Sequence, residues 1–214
     1  MMRRRLMGTA GADGYLQFAD SEVSRLCAVN FGDGVGTTIA QVQAVTNIGN
    51  VFAENGKITE FTELKYFESI TELPYHAFYK CVNLATVEFP PYLQSIGQEA
   101  FDYYEVHTLS SDLILPNLVT IGYAAFPHCA SKLFYAPKCT TIGDWAFYNC
   151  QQMEAMVLGA TVPSLGDNSL RSLNSTCLFY VPAGALDNYI STWWWLSTDR
   201  IKTYDDLPDK YKVL

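Results

Sequence analysis

Three histidines, His76, His107 and His128, are the first candidates for proton transfer or metal ligation. None stands in an HExxH pair or another ligand spacing. His76 and His128 each lie two residues from a recurring phenylalanine, and both read as solvated turn residues. Cys27, Cys81, Cys129, Cys139, Cys150 and Cys177 contain no CxxC or comparable zinc spacing. Gly32, Gly34 and Gly36 form a GxGxG, but no strong strand precedes it and no βαβ pattern follows, so it does not read as a phosphate cradle. The chain has no Gly-x-Ser-x-Gly elbow and no GxxxxGK[ST] loop. Asp205-Asp206 falls in a polar stretch, and no spacing brings distant carboxylates together. These residues predict a chain that is not an enzyme and that carries no metal or cofactor.

The elements that would position any site come from composition and period. The chain has 214 residues, enough for one domain with a small appendage. Apolar residues make up 49% of it, which supports a substantial core. With 14 basic and 22 acidic residues the net charge is −8, which repels phosphate backbones and argues against a nucleic-acid partner. No run approaches the roughly 18–20 apolar residues of a membrane span. Arg3-Arg4-Arg5 opens like a secretory signal, but the apolar stretch Leu6 to Ala12 is short, holds two glycines and meets Asp13. By itself this start does not support export.

An internal repeat organises the rest. Ala77-Phe78, Ala100-Phe101, Ala125-Phe126 and Ala146-Phe147 recur at intervals of 23, 25 and 21. Ile96-Gly97, Ile121-Gly122 and Ile142-Gly143 precede the last three, and Leu73-Pro74 precedes the first. A worn fifth copy runs Leu165 to Leu170. Leu93, Leu118, Cys139 and Val162 keep step, as do Cys81, Tyr104, Cys129, Cys150 and Leu173. Short apolar runs follow and close on Pro90, Pro116, Pro137, Gly159 and Pro182. Each copy predicts one coil with a strand, a corner and a turn. No coil buries its own apolar face, so stacked neighbours must complete the core. Phe fills the coil, Ala marks close backbone approach, and the Gly after Ile suits a tight turn with positive φ. The ladder cysteines then read as buried thiols rather than disulfides or ligands. Cys27 and Cys177 lie off the ladder.

The pattern Ile-Gly-x-x-Ala-Phe-x-x-Cys, followed by a strand ending in Pro, resembles the BspA-like (Treponema-type) leucine-rich repeats over roughly residues 58–182. The stretch from Leu178 through Tyr189 and Trp193 to Trp195 to Ile201 looks like the closing segment of such proteins. The resemblance implies an α+β repeat solenoid: a right-handed leucine-rich-repeat coil of about five repeats with short parallel strands. It also implies binding or adhesion at a cell surface without catalysis, and some phages carry such repeats. Related N-terminal units hold a dockerin or EF-hand-like calcium loop. This chain keeps only Asp33, and Asn30 as a further oxygen ligand, with no acid near Gln41 or Gln43. The implied loop is therefore degenerate, within a helical cap.

The expected organisation is a flexible segment over 1–19, a small helical cap over 20–57, the solenoid over 58–182, a C-terminal cap over 183–202 and a polar tail over 203–214. Helices are expected from Asp20 onward, over Gln41 to Ile48 and over Ala183 to Ile190. Gly56 to Phe67 suggests a half repeat. Trp193 to Trp195 read as a cover for the last coil, with an aromatic binding patch as the rival.

Strand alternation places Phe89, Leu115, Ala136, Leu158 and Val181 inward, together with Val87, Leu113, Phe134, Met156 and Phe179. The outward set becomes apolar toward the C-terminus. Glu88, Ile114, Leu133, Tyr135, Val157, Leu178 and Tyr180 are the expected contact residues for a protein or glycan. The competing reading is that the C-terminal cap or a neighbouring chain covers them. A second reading of function is a decorating component of an assembly such as a phage particle. On the binding reading, Tyr135→Ser with Tyr180→Ser weakens partner binding and leaves the thermal midpoint nearly unmoved. A collapsed midpoint would make the two tyrosines core.

Overall fold

The computed structural model describes residues 10–102 and 109–212. Tyr104, His107, the first nine residues of the expected flexible segment and the last two residues of the tail lie outside them. From residue 10 the chain is already attached. Ala10 bridges Leu16, the Leu16 N–H donates to Thr37 O at 2.8 Å, and Leu16 is buried.

Every strand pair of the solenoid is parallel and in register. The coils build two long ladders rather than the one expected. The expected strand of each coil contributes to a sheet of β5 (Leu113–Ile114), β7 (Leu133–Ala136), β9 (Ala155–Leu158), β11 (Leu178–Val181) and β12 (Ile201–Thr203). The residue pair ending in the Ile or Leu of each turn supplies a second sheet. Its strands are β2 (Glu72–Leu73), β4 (Ser95–Ile96), β6 (Thr120–Ile121), β8 (Thr141–Ile142) and β10 (Ser164–Leu165). The β-branched Thr-Ile pairs favour this extended geometry. The inward residues of the first sheet are buried as the alternation requires, with Leu113, Phe134, Met156, Phe179 and Ile201 aligned across it.

The phenylalanines form one spine. Phe78, Phe101, Phe126 and Phe147 stack with ring centroids 5.0, 5.0 and 5.7 Å apart and planes within 17°. A further ring, Phe52, lies 5.5 Å below Phe78 at 15°. A coil therefore precedes the first recognised repeat. Its strand β1 (Glu60–Phe61) pairs with β3 (Thr86–Val87). Ile48-Gly49 foreshadows this coil, but one residue closer to its Phe than in the later copies.

The glycines have a different role from the one expected. Gly97, Gly122 and Gly143 are not among the positive-φ residues. A Cβ on them would lie 2.7 Å from Pro74 C, 2.6 Å from Gln98 N and 2.7 Å from Gly122 C, all backbone of the coil before. They permit close approach. The left-handed positions are instead two residues before each Phe (His76, Glu99, Ala124, Trp145) and two after it (Lys80, His128, Asn149). For residues other than glycine this costs about 1–2 kcal/mol each. The geometry turns alternate N–H groups along the stack. Phe78 N donates to Ala100 O at 2.7 Å, Phe101 N to Ala125 O at 3.0 Å and Phe126 N to Ala146 O at 2.9 Å. His76, Glu99, Ala124 and Trp145 donate to the next coil in the same way. The turns are thus cross-bonded like a sheet.

The six cysteines are free and buried. Cys81 Sγ donates to Phe52 O at 3.0 Å and Cys150 Sγ to Phe126 O at 3.1 Å, so ladder thiols bond to the neighbouring coil. Burial pushes the Cys139 thiol up to about 11 and the Cys81 thiol up to about 12, which keeps both protonated and unreactive at neutral pH.

Both ends of the stack are closed. At the N-terminus Asp20 caps α1 (Ser21–Asn30) by accepting from Glu22 N and Val23 N, and its other oxygen accepts from Thr59 N at 2.8 Å. One carboxylate ties the helix to the first coil. α2 (Ile39–Ala44) starts two residues earlier than expected because Thr38 and Gln41 form a capping box, and it ends where Val45 turns extended. At the other end α3 (Leu186–Thr192) follows a 3₁₀ turn over Ala183–Ala185. The Tyr189 hydroxyl donates to Gly159 O and Thr161 O, and Trp193 packs edge-on against Phe179 at 5.4 Å. Trp193 covers the stack, whereas Trp194 and Trp195 are exposed.

Gly122→Ala forces a methyl into backbone, and overpacking of this kind costs about 1–3 kcal/mol. Denaturant unfolding should show that loss, whereas Gly184→Ala, where a Cβ meets nothing within 4 Å, stays near wild type.

Candidate functional site

The expected contact residues divide into two groups. Leu133, Val157 and Tyr180 are only 1%, 2% and 3% exposed. They form a second apolar cluster, on the outer face of the sheet, with Ala155, Leu207 and Tyr211. The stretch expected as a polar tail provides that cover. β12 adds a strand to the sheet edge, and residues 204–212 then fold across its outer face through two 3₁₀ turns. The Tyr204 hydroxyl donates to Leu158 O. Lys210 pairs with Glu154 at 2.7 Å, and the Tyr211 hydroxyl donates to the same carboxylate at 3.2 Å. Hydrogen bonds from Lys210 and Lys132 hold Glu154 down to about 2. The C-terminal half of this face is therefore packed by residues 204–212, the stretch expected as a tail, rather than by the expected cap over 183–202 or a neighbouring chain.

Glu88 is exposed, and Ile114, Tyr135 and Leu178 are half-buried. Beyond the covering segment a groove of about 450 Å³ opens at the N-terminal side of the face, lined by Lys65, Glu88, Phe89, Pro91, Asp112 and Ile114. Lys65 bridges to Glu88 at 2.8 Å. Lys65 was missed in the sequence because it sits on the 3₁₀ turn Thr62–Tyr66, ahead of the recognised repeats. The double proline Pro90-Pro91 was the available signal for a corner there.

The turn histidines are not freely solvated. The His76 ring stacks between Tyr75 and Tyr79 at 3.6 and 4.0 Å, and its Nε2 lies 2.8 Å from Glu99. His128 is half-buried against Tyr148 and Asn149, and burial lowers its pKa. Beside them is a residue the sequence did not single out. Asp102 is 6% exposed, and burial, with the Glu99 carboxylate nearby, pushes it up to about 6.

Asp33, the remnant of the calcium loop, is fully used locally. Its carboxylate accepts the Tyr15 hydroxyl and the N–H groups of Val35 and Gly36, and these bonds hold it at about 2. Among the described residues no group of three or more His, Cys, Asp or Glu is placed to hold a metal ion. Nothing supports a dockerin or EF-hand-like unit here, because the carboxylate braces a turn. No helix among the described residues is long and apolar enough to cross a membrane.

A family model for the BspA type leucine rich repeat region matches residues 46–170 and 103–202, in six copies. The chain belongs to the BspA-type leucine-rich repeat family. The match starts at residue 46, so it takes in the Phe52 coil and leaves α1 and α2 outside. A search of curated proteins finds no match. BspA-type repeats are generally non-enzymatic modules, and leucine-rich repeat domains generally mediate protein recognition.

Two outcomes follow from these placements. Tyr180→Ser alone lowers the thermal midpoint, so the double tyrosine variant collapses the outer cluster instead of sparing it; calorimetry reads this directly. Folding raises the pKa of Asp102 above its ordinary 3.8, so the native state binds that proton more tightly than the unfolded chain does. Its contribution to stability then falls as pH rises through that window. Asp102→Asn should melt a few degrees above the parent at about pH 7.5, with the gain fading as pH drops through about 6 toward about 4.

Proposed function

We propose that this BspA-type repeat protein is a non-catalytic recognition module that takes a protein ligand in the groove beside Ile114. The observation that carries this reading is the uneven cover of the outer face. The chain's own end packs Leu133, Val157 and Tyr180, while Ile114, Pro91 and the Lys65–Glu88 pair border open space. An apolar floor with a charged rim matches the anatomy of protein interfaces. A protein segment is favoured over a glycan, because the groove presents proline and isoleucine and its one aromatic ring, Phe89, is buried. The ligand would place an apolar side chain on Ile114 and a basic group toward Asp112 and Glu88. A role in adhesion at a cell surface is compatible with this chemistry.

Ile114→Arg tests the reading. Ile114 is half-buried and packs on one side against the outer cluster, so calorimetry first checks that the variant is folded at the assay temperature. Quantitative pull-down from extracts of surface proteins should show a partner that wild type captures saturably and that Ile114→Arg captures at least about tenfold less. Equal capture by both proteins would refute the groove.

A further inference from the structure

A second cleft, of about 220 Å³, lies over the phenylalanine turns of the middle coils. Glu99, Asp102, Tyr123, His128, Trp145 and Tyr148 line it. Three features set it apart from the groove beside Ile114. Its walls are aromatic: Trp145 and Tyr148 meet edge to face at 4.8 Å, and Tyr123 is 45% exposed beside them. Its charge is negative. Its carboxylates are also unequally satisfied. Glu99 is engaged by His76 and by Gln98 at 2.9 Å, whereas no described residue donates a hydrogen bond to the carboxylate of Asp102 or forms an ion pair with it.

Asp102 is 6% exposed, and with no described donor its carboxylate meets solvent where the cleft opens. Here it faces a cavity that Tyr123, Trp145 and Tyr148 also line. That combination suits a cation: the rings attract positive charge through their quadrupoles and the carboxylate neutralises it. A bare divalent metal fits poorly, because it needs several oxygen ligands and only Asp102 is unengaged. A neutral sugar would stack on the rings but leave the charge of Asp102 uncompensated. Among organic cations a compact ammonium suits a cleft of about 220 Å³ better than the broader, planar guanidinium does.

We propose that this cleft takes an ammonium group, as carried by a lysine side chain of a protein ligand, with Asp102 as counter-ion and Tyr123, Trp145 and Tyr148 as walls. The site is distinct from the groove beside Ile114 and does not depend on it. A ligand that engages both would be held at two points on the solenoid.

The test is a nuclear magnetic resonance titration of the full chain, following the indole N–H of Trp145, which is assigned by its loss in Trp145→Phe. The probes are Nα-acetyl-lysine amide, its uncharged analogue Nα-acetyl-norleucine amide, and N-acetylglucosamine. The lysine probe should shift the indole saturably and the other two should not. Asp102→Asn should weaken the lysine probe at least fivefold, and Tyr123→Leu, at an exposed position that does not threaten the fold, should weaken it severalfold. The proposal is overturned if the lysine and norleucine probes act alike, if the sugar alone saturates, or if both variants bind the lysine probe as well as the parent does.

Discussion

Close backbone approach between successive coils is the constraint on which the rest of the molecule depends. At Gly97, Gly122 and Gly143 the chain passes so near the coil before that a single methyl would collide with main-chain atoms. That proximity brings the ring of each phenylalanine onto the next. It also lets the N–H groups of the turns reach carbonyls one coil away. The left-handed residues on either side of each Phe are tolerated because the cross-bonding they permit outweighs their local strain. Hydrophobic burial supplies the bulk of the stabilisation, and the glycines and left-handed turns set the spacing at which it is realised.

A stack of this kind has two ends and one open face, and the chain spends much of its remaining length on them. Asp20 joins the N-terminal helix to the first coil, and Tyr189 with Trp193 seals the last. β12 and the segment after it then cover the part of the outer face where apolar side chains accumulate. An apolar sheet face is a liability in water, and here the segment after β12 covers it, while β12 itself becomes the edge strand. What stays open is a smaller, mixed-charge groove at the other end of that face and an aromatic, acidic cleft over the turns.

The repeat was legible because its signal is periodic: Phe, Ala, Gly and Cys return at nearly constant spacing, and each return samples the same environment. Inward and outward strand positions were legible for the same reason. What was not legible is what periodicity does not encode. Tyr180 and Val157 alternate outward as expected, yet they are buried because a non-repeating segment, anchored through Tyr204, Leu207, Lys210 and Tyr211, reaches them. The positive-φ positions fell on Trp145, Ala124 and His76 rather than on glycine, since inter-coil hydrogen bonds, and not residue preference, decide the backbone there. Asp102 escaped notice because its importance lies in burial beside residues from later coils.

The most direct test of the shared interior is amide hydrogen exchange, resolved residue by residue. The N–H groups of Phe78, Phe101, Phe126 and Phe147 lie in turns, outside any strand, yet each bonds to the following coil. Exchange of these four as slow as that of the central strand residues Phe134 and Met156 is the expected result. Exchange as fast as that of an exposed turn such as the one at Gly56 would contradict the account.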